Sequence, residues 1–364
     1  MEIIKNVLQN KEIKYPLENV GKIEDLLFLD IETTGFSSKM SKLYLIGCVY
    51  YKNEVWNTIQ FFANEYSDEK ELLEEFFEFA KPYKTLIHFN GNNFDIPYLL
   101  DKCKEFNLDR NFDSYEGIDI YKRIQPLKSF LKLINCKQKT IEGFLGINRE
   151  DKFSGGDLIG VYHDYVSDKD EQKKGLLLLH NFDDICGILD ILPILYYCDL
   201  FKSKLIVTKV SAGTYKDING NDKLELLMDF DIPFNLPVPV ASRNGNIYFT
   251  ASNAEGVFRV PIFEGELKYF FANYKEYYYL PIEDMALHKS VASFVDKSRR
   301  EQAKASNCYI KKTSRFLPEF DNVINPFFKS DYSSKELYWE ITEERKTDRN
   351  LFSAYSSHLM ANLL

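Results

Sequence analysis

The feature that most constrains the fold is a short, wholly apolar run, Leu26–Leu29, which leads directly into Asp30-Ile31-Glu32. Such a run, bounded by polar residues and a Thr-Thr-Gly turn, is typical of a central strand buried on both faces of a sheet. Side chains two apart on a strand point to the same face, so Asp30 and Glu32 should project together. Two adjacent carboxylates repel, and a divalent cation commonly relieves that repulsion. Taken alone, a solvated acidic pair is the simpler interpretation.

The first half of the chain alternates strand and helix patterns. Three leading strands followed by alternating strands and helices imply an α/β fold with a mixed five-stranded sheet flanked by helices. The expected strands are 26–29, 43–51, 55–62, 85–89 and 117–121, and the expected longer helices are about 67–82, 95–106 and 170–201.

The second half has a different texture, and 364 residues are many for a single hydrophobic core. We therefore predict a domain boundary near Lys204, with residues 1–204 forming the α/β domain and 205–364 a smaller, β-rich α+β domain. Strands joined by turns rich in Asn and Gly are expected in the second part, followed by one helix at about 283–306. The strands are predicted at 205–217, 224–232, 245–251 and 257–262.

The net charge of −9 disfavours a polyanionic partner at first sight, but the charge is unevenly distributed. Residues 1–204 carry 26 basic and 34 acidic side chains, whereas the remainder carries 20 and 21. The segment Lys289–Arg315 holds eight basic residues and two acidic ones. On the predicted helix one face carries cations, which suits either a phosphate-binding track or an ordinary solvated face. The cations are Lys289, Lys297, Arg300 and Lys304, and the opposite face carries Leu287, Val291 and Phe294.

The six cysteines include no Cys-x-x-Cys pair, so neither a local zinc site nor a redox dithiol is indicated. The first residues lack the apolar core of a signal peptide, and the most apolar stretch, 185–200, is interrupted by Asp190 and Pro193. We expect a cytoplasmic protein without a membrane partner.

Two further motifs carry chemistry-bearing side chains. Asp95 follows the strand predicted at 85–89, where a helix N-cap is a common alternative role, and Asn90 and Asn93 are also typical turn formers. His180 and Asp184 lie four residues apart in the long helix and therefore share one face. Polar residues in an otherwise apolar helix are costly unless they are paired or bind a metal. A buried, hydrogen-bonded histidine is the common alternative.

Together these motifs resemble those of the DEDD (DnaQ-like) 3′–5′ exonucleases of the ribonuclease H-like fold, and more narrowly a bacterial branch of that family. Asp-Ile-Glu-Thr-Thr-Gly starts at Asp30, Asn-Gly-x-x-Phe-Asp-x-Pro at Asn90 and His-Asn-x-x-Asp at His180, in the family's order. The resemblance covers roughly residues 24–202. It leaves the C-terminal extension, with its basic helix, without a known role.

The resemblance implies that four acids, Asp30, Glu32, Asp95 and Asp184, bind two Mg²⁺ or Mn²⁺ ions in a two-metal mechanism of phosphodiester hydrolysis. His180 would orient or deprotonate the attacking water. His180 combines the three-residue spacer of the tyrosine subgroup with the side chain of the histidine subgroup. Asp183 competes with Asp184 as a ligand, and Asp184 fits the family's spacing better.

The implied activity is 3′–5′ exonuclease cleavage at the ends of single-stranded DNA or RNA. A structure-selective endonuclease and a catalytically silent nucleic-acid-binding module are the alternatives. Arg123 would touch phosphate or pair with a surface acid. The other expected substrate contacts are Thr33, Thr34, Gly35, Asn90, Asn93, Phe94, Lys297 and Arg300.

Overall fold

The structure is a computed structural model that describes residues 1–147 and 155–364. Backbone contacts divide the chain into a first unit, Met1–Asp199, and a second unit, Leu200–Leu364. That they are independent folding domains separated near Lys204 stays a prediction.

A single mixed sheet organises the first unit. Its strands are β1 (Glu2–Leu8), β2 (Leu26–Thr33), β3 (Leu43–Lys52), β4 (Val55–Phe62), β5 (Thr85–His88) and β6 (Glu116–Asp119). Among the described residues the sheet has six strands, in the order β1-β4-β3-β2-β5-β6. The pairs from β1 to β2 are antiparallel, whereas β5 and β6 are parallel to β2. The predicted α/β class is confirmed, with one strand more than the five expected.

The additional strand is β1, which pairs with β4 from Glu2 opposite Phe62 to Leu8 opposite Trp56. It lies at the edge of the sheet and most of its side chains are exposed. An edge strand of this kind lacks the apolar run that marks a buried strand, which is why the sequence did not indicate it.

Strand β2 is the central strand, and its residues Leu26–Leu29 are fully buried. It continues beyond the apolar run to Thr33, so that Asp30 and Glu32 lie within the strand. Asp30 lies opposite Gly47 of β3. The two carboxylates therefore lie on the sheet itself and not on a loop that follows it.

Helices cover the faces of this sheet, and α6 packs across β2 and β3. The helix predicted at 170–201 ends early, at Asp190, and a 3₁₀ turn at Leu192–Leu195 follows. Pro193 explains this, because proline lacks an N–H and its ring clashes with the preceding turn of a helix. The helices are α1 (Glu69–Ala80), α2 (Asp95–Glu105), α3 (Ile120–Ile124), α4 (Gln138–Phe144), α5 (Gly155–Asp168), α6 (Glu171–Asp190) and α7 (Tyr196–Lys202).

The second unit is rich in short and long strands, which confirms its predicted β-rich character. In the described residues its three sheets have the orders β7-β8-β9, β10-β14-β16-β15 and β12-β11-β13, and its helices are α8 (Lys289–Ala292), α9 (Glu343–Lys346) and α10 (Arg349–Ala361). The strands are β7 (Ile206–Lys216), β8 (Asp222–Asn244), β9 (Ile247–Pro261), β10 (Phe263–Phe270), β11 (Tyr277–Leu280), β12 (Met285–His288), β13 (Glu301–Gln302), β14 (Tyr309–Glu319), β15 (Phe327–Phe328) and β16 (Leu337–Glu340).

The predicted basic helix at 283–306 is wrong. Residues Met285–His288 form β12, and only one helical turn, Lys289–Ala292, and a 3₁₀ turn, Lys297–Arg299, follow. Asp296 caps the 3₁₀ turn by accepting from the Ser298 N–H, and such local hydrogen bonds compete with a continuous helix. Lys297 and Arg300 therefore do not lie on one helical face. Val291 and Phe294, expected to pack, are 57% and 91% exposed.

None of the helices in the described ranges is long and apolar enough to cross a membrane. All six cysteines fall in these ranges, and none forms a disulfide bond.

Candidate metal centre

The first two acids of the site come from β2. Glu32 is 8% exposed and Asp30 is half-buried. Their shared strand places the two side chains on the same face, and β2 is paired with β3 at both positions, Asp30 opposite Gly47 and Glu32 opposite Leu45. A β-bulge between Glu32 and Thr33 then directs the chain out of the sheet.

The third acid, Asp95, is the first residue of α2 and is 5% exposed. Its Oδ1 accepts a hydrogen bond from the Ile31 backbone N–H at 3.1 Å, which ties the start of α2 to the strand carrying Asp30 and Glu32. The alternative expected from the sequence was that Asp95 caps the N-terminus of a helix. In this contact its side chain bonds to β2 instead.

A buried aspartate fixes the turn that leads to Asp95. Asp119, at the end of β6, accepts from the backbone N–H groups of Asn90 (2.9 Å) and Asn92 (3.2 Å). His88 lies beside it, with Nδ1 at 3.8 Å from Asp119 Oδ2, and burial lowers the pKa of His88. The sequence analysis assigned no role to Asp119. The signal that could have indicated a role is its position at the end of β6, which lies parallel to β5 and next to it.

The fourth acid and the histidine come from α6, one turn apart. His180 Nε2 lies 3.3 Å from Asp184 Oδ2 and 3.7 Å from Glu32 Oε1. Glu32, His180 and Asp184 each offer one ligand atom, and these atoms lie within 4.8 Å of one another. In the described part of the chain Asp184, and not Asp183, belongs to this group.

A buried amide connects α6 to the first acid. Asn181 is fully buried; its Nδ2 donates to Asp30 Oδ2 at 3.1 Å, and its Oδ1 accepts from Gln60 Nε2 at 3.0 Å. Gly47, opposite Asp30, makes room for this amide, since an ideal Cβ there would lie 2.0 Å from Asn181 Oδ1. Asn181 belongs to the third sequence motif but had no predicted role, and neither Gln60 nor Gly47 was predicted to belong to the site.

We call Asp30, Glu32, Asp95 and Asp184 the acidic cluster. Burial, and then the charges of Asp95, Asp184 and Glu32, raise the pKa of Asp30 well above its usual range. Burial also raises the pKa of Asp95 to about 7, against the opposing effect of backbone hydrogen bonds. Both shifts report the free energy cost of gathering carboxylates in a site of low dielectric.

The donor set of the cluster fits a hard divalent cation. Carboxylate oxygens dominate it, and these are the ligands that Mg²⁺ and Mn²⁺ prefer, whereas Zn²⁺ sites are usually built from Cys and His. A bound cation would offset the repulsion that raises the pKa of Asp30. The acidic cluster and His180 are therefore a candidate site for divalent metal ions.

The loop after β2 is held by its own hydroxyls. Thr33 Oγ1 donates to the Gly35 carbonyl at 2.8 Å, and Thr34 Oγ1 accepts from the Lys42 N–H at 2.8 Å. Ser41 Oγ also donates to the Gly35 carbonyl. The three predicted contact residues thus form one ordered loop beside Glu32.

An apolar surface accompanies this loop. Phe36 is 93% exposed and Met40 90% exposed. The Phe36 ring lies 6.1 Å from that of Phe94, the residue before Asp95, and Asn93 Nδ2 donates to Asn90 Oδ1 at 2.8 Å. The sequence analysis named Phe94 but not Phe36 or Met40, although both lie within a few residues of the first motif.

The remaining expected contacts are not joined to the cluster. Arg123 lies in α3, and within residues 1–147 and 155–364 no hydrogen bond or ion pair links its side chain to the acids. Lys297 and Arg300 belong to the second unit. A substrate role for any of the three stays a prediction.

Comparisons with known proteins agree with the architecture of the first unit. Residues 27–196 match the family model described as the RNase_H superfamily. Together with the mixed sheet, this confirms the ribonuclease H-like fold class for this region. No curated protein matches the chain in sequence.

The chain also has similarities to solved structures. A family B DNA polymerase from Pyrobaculum calidifontis matches 70% of this chain and 36% of its own, at 13% identity and a TM-score of 0.38. E. coli exonuclease I in a zinc-bound complex with single-stranded DNA matches 57% of this chain and 54% of its own, at 10% identity and a TM-score of 0.34. The same enzyme with a dT13 oligonucleotide matches at 11% identity and a TM-score of 0.28. The chain thus spans about a third of the polymerase and about half of the exonuclease.

Proposed function

We propose that this protein is a metal-dependent 3′–5′ exonuclease that hydrolyses phosphodiester bonds at the ends of single-stranded DNA or RNA. The observation that carries the proposal is the grouping of four acids and one histidine from β2, α2 and α6. Glu32, His180 and Asp184 offer ligand atoms within 4.8 Å of one another, and Asp30 lies close enough to the other three acids for their charges to raise its pKa. The order of the three motifs along the chain supports the 3′–5′ direction by resemblance.

The metal ligands in this proposal are Asp30, Glu32, Asp95 and Asp184, and the ions are two Mg²⁺ or Mn²⁺. Bound divalent ions would supply Lewis acidity toward the phosphate and lower the pKa of bound water. The chain itself holds the acids in place: β2 sets the spacing of Asp30 and Glu32, and the Ile31 N–H fixes Asp95. Asn181 orients the carboxylate of Asp30.

His180 is proposed as the group that takes the proton of the attacking water. An imidazole is the side chain best suited to accept and release protons near neutral pH. His180 Nε2 lies 3.3 Å from Asp184 Oδ2 and 3.7 Å from Glu32 Oε1, so the imidazole is held beside two of the proposed metal ligands.

The substrate would enter along the ordered loop beside Glu32. Backbone groups of Thr33, Thr34 and Gly35 are proposed to contact the terminal nucleotide, and the exposed ring of Phe36 and the half-buried ring of Phe94 to contact its base. Asn90 and Asn93 offer amide groups to the sugar. Arg123 is proposed as a phosphate contact.

The test is digestion of a 5′-labelled oligonucleotide in Mg²⁺, Mn²⁺ or EDTA. The proposal predicts a ladder that shortens from the 3′ end with either metal and no product in EDTA. Internal cuts would indicate an endonuclease, and binding without cleavage would indicate a binding module. Asp109→Asn, at an exposed site on the same unit, is the matched control for Asp30→Asn.

A further inference from the structure

The eight basic residues of Lys289–Arg315 fall into two groups. Those on β14 are paired with acids: Lys311 with Asp284, Lys312 with Glu340 and Arg315 with Glu264. By contrast, Lys289, Lys297, Arg299, Arg300 and Lys304 form no ion pair within the described ranges. Four of these five lie in residues 289–300, which we call the cationic segment, beside a single acid, Asp296.

The cationic segment also exposes apolar side chains. Phe294 is 91% exposed and Val291 57% exposed. Apolar side chains of this size normally pack, and here Phe294 lies within a few residues of Lys297 and Arg299, which are also exposed. The segment therefore offers an aromatic face and positive charge together.

The cationic segment is ordered by its own contacts. The Arg300 guanidinium donates to the Ala292 carbonyl and lies 4.8 Å from the centre of the Tyr278 ring, and the Lys289 ammonium lies 5.5 Å from it. The carboxylate of Asp296 accepts from both the N–H and the hydroxyl of Ser298. Arg300 and Lys289 are thus engaged within the protein, whereas Lys297 and Arg299 remain available to a ligand.

We propose that the cationic segment is a binding site for single-stranded nucleic acid on the second unit. Phosphates would contact Lys297 and Arg299, and an unpaired base would stack on Phe294, the combination by which single strands are bound without sequence preference. Two features favour a single strand over a duplex: a base must be unstacked to meet the ring, and the charge is concentrated in a short segment. The inference rests on the proposed nuclease in its choice of nucleic acid as the polyanion.

The test measures binding of a fluorescent oligothymidylate by anisotropy in EDTA, over a range of KCl concentrations, with the full chain. We expect Phe294→Ala to weaken binding about tenfold, as for loss of one stacked base. Lys297→Ala/Arg299→Ala should weaken binding and lower the slope of log Kd against log salt by about 1.4, the value for two single-strand phosphate contacts.

The matched control is Lys216→Ala/Arg315→Ala, which removes the same charge at exposed cations that are already paired with Asp222 and Glu264. It should leave the salt slope unchanged. An equal loss of oligonucleotide affinity in both double variants, or no loss of affinity in either, overturns the inference. Binding of anionic lipid vesicles that depends on Phe294 while oligonucleotide binding does not would overturn it in favour of a membrane surface.

Because binding is measured in EDTA, the two proposals fail separately. A protein that does not cleave but binds through Phe294 keeps this inference and loses the nuclease. A protein that cleaves, and whose affinity is insensitive to the cationic segment, keeps the nuclease and loses this inference.

Discussion

The first unit buries two charged clusters, and they are built in opposite ways. In one, Glu69 of α1 meets Lys102 of α2 at 2.9 Å, with both side chains 1% exposed. Glu69 also accepts from the Leu43 N–H at 2.8 Å. In the other, the acidic cluster, each carboxylate has further carboxylates as neighbours, and the pKa of Asp30 is raised.

The difference between the two clusters is whether the protein itself supplies a positive charge to balance the buried carboxylates. Glu69 has its counter-charge in Lys102, so it contributes to the fold by itself. For Asp30 and Asp95, residues 1–147 and 155–364 provide an amide and a backbone N–H but no lysine or arginine partner. The available counter-charge is then a proton or a divalent cation from solution. With a bound metal ion, the acidic cluster would be able to act as an active site.

The largest effect is expected in the cluster of Glu69 and Lys102. Lys102→Met removes the buried cation of Glu69 and leaves it only the more exposed Lys42, at 3.0 Å, so the free energy of unfolding should fall by up to about 3–5 kcal/mol. The control Lys104→Met, at an exposed position on the same helix, should change it by less than about 0.5 kcal/mol. Urea denaturation measures both. Similar stability of the two variants would contradict the distinction drawn here.

In the acidic cluster, replacing a charged side chain by a neutral one should lower the activity and leave the fold intact. Asp30→Asn removes a proposed metal ligand and should lower kcat/KM for oligonucleotide cleavage by at least about 10²–10³-fold, comparable to the loss of one electrostatic group at an active site. In EDTA the variant should be at least as stable as the parent, because one repelling charge is gone. An active Asp30→Asn, with Asp109→Asn also active, would contradict the site.

Metal binding should stabilise the parent protein and not Asp30→Asn. At Mn²⁺ concentrations about 100-fold above Kd, the linked gain in the free energy of unfolding is about 2.7 kcal/mol. Differential scanning calorimetry with and without Mn²⁺ measures the shift in Tm. An equal shift in both proteins would indicate that Mn²⁺ binds elsewhere.

Gly47→Ala tests the contact between α6 and β2. The new Cβ would displace Asn181 from Asp30, at a cost of about 1–3 kcal/mol in stability, and it should also weaken Mn²⁺ binding measured by calorimetric titration. Gly117→Ala is the control, since nothing lies within 4 Å of its Cβ. Unaltered Mn²⁺ affinity in Gly47→Ala would show that the amide does not position the acid.

The effect spread over the widest range of conditions, and so the smallest per pH unit, is a pH dependence of stability in EDTA. The pKa of Asp95 is raised to about 7, so the folded state binds more protons than the unfolded state between pH about 4 and 7. Stability from this group is therefore full at low pH and is lost as pH rises toward 7, by at most about 1.4 kcal/mol per pH unit. Asp95→Asn should flatten this slope in denaturation curves, and an unchanged slope would assign the effect to other groups.

The sequence predicted what depends on short stretches of chain. The run Leu26–Leu29 predicted the central strand. The predicted strand 55–62 and the predicted helix 95–106 agree with β4 and α2 almost residue for residue. The four acids and His180 could be proposed as candidates because each belongs to a local motif with characteristic neighbours, and their role as metal ligands or base stays a prediction. These signals do not require knowledge of the rest of the fold.

What the sequence did not predict depends on contacts between distant segments. The path from Gln60 through Asn181 to Asp30 exists only once α6 lies across Gly47. The helix expected at 283–306 had helical periodicity in its charges. By contrast, this error is local: the first residues of that range form β12, which pairs with the neighbouring strand β11 in a tight hairpin, with Leu280 opposite Met285.

The central claim is that the acidic cluster binds divalent metal ions, and a crystal soaked in Mn²⁺ tests it most directly. Anomalous scattering locates manganese without assumptions about activity. The account predicts two manganese peaks coordinated by Asp30, Glu32, Asp95 and Asp184. An absence of manganese from these four carboxylates, at a concentration that shifts Tm, would contradict it.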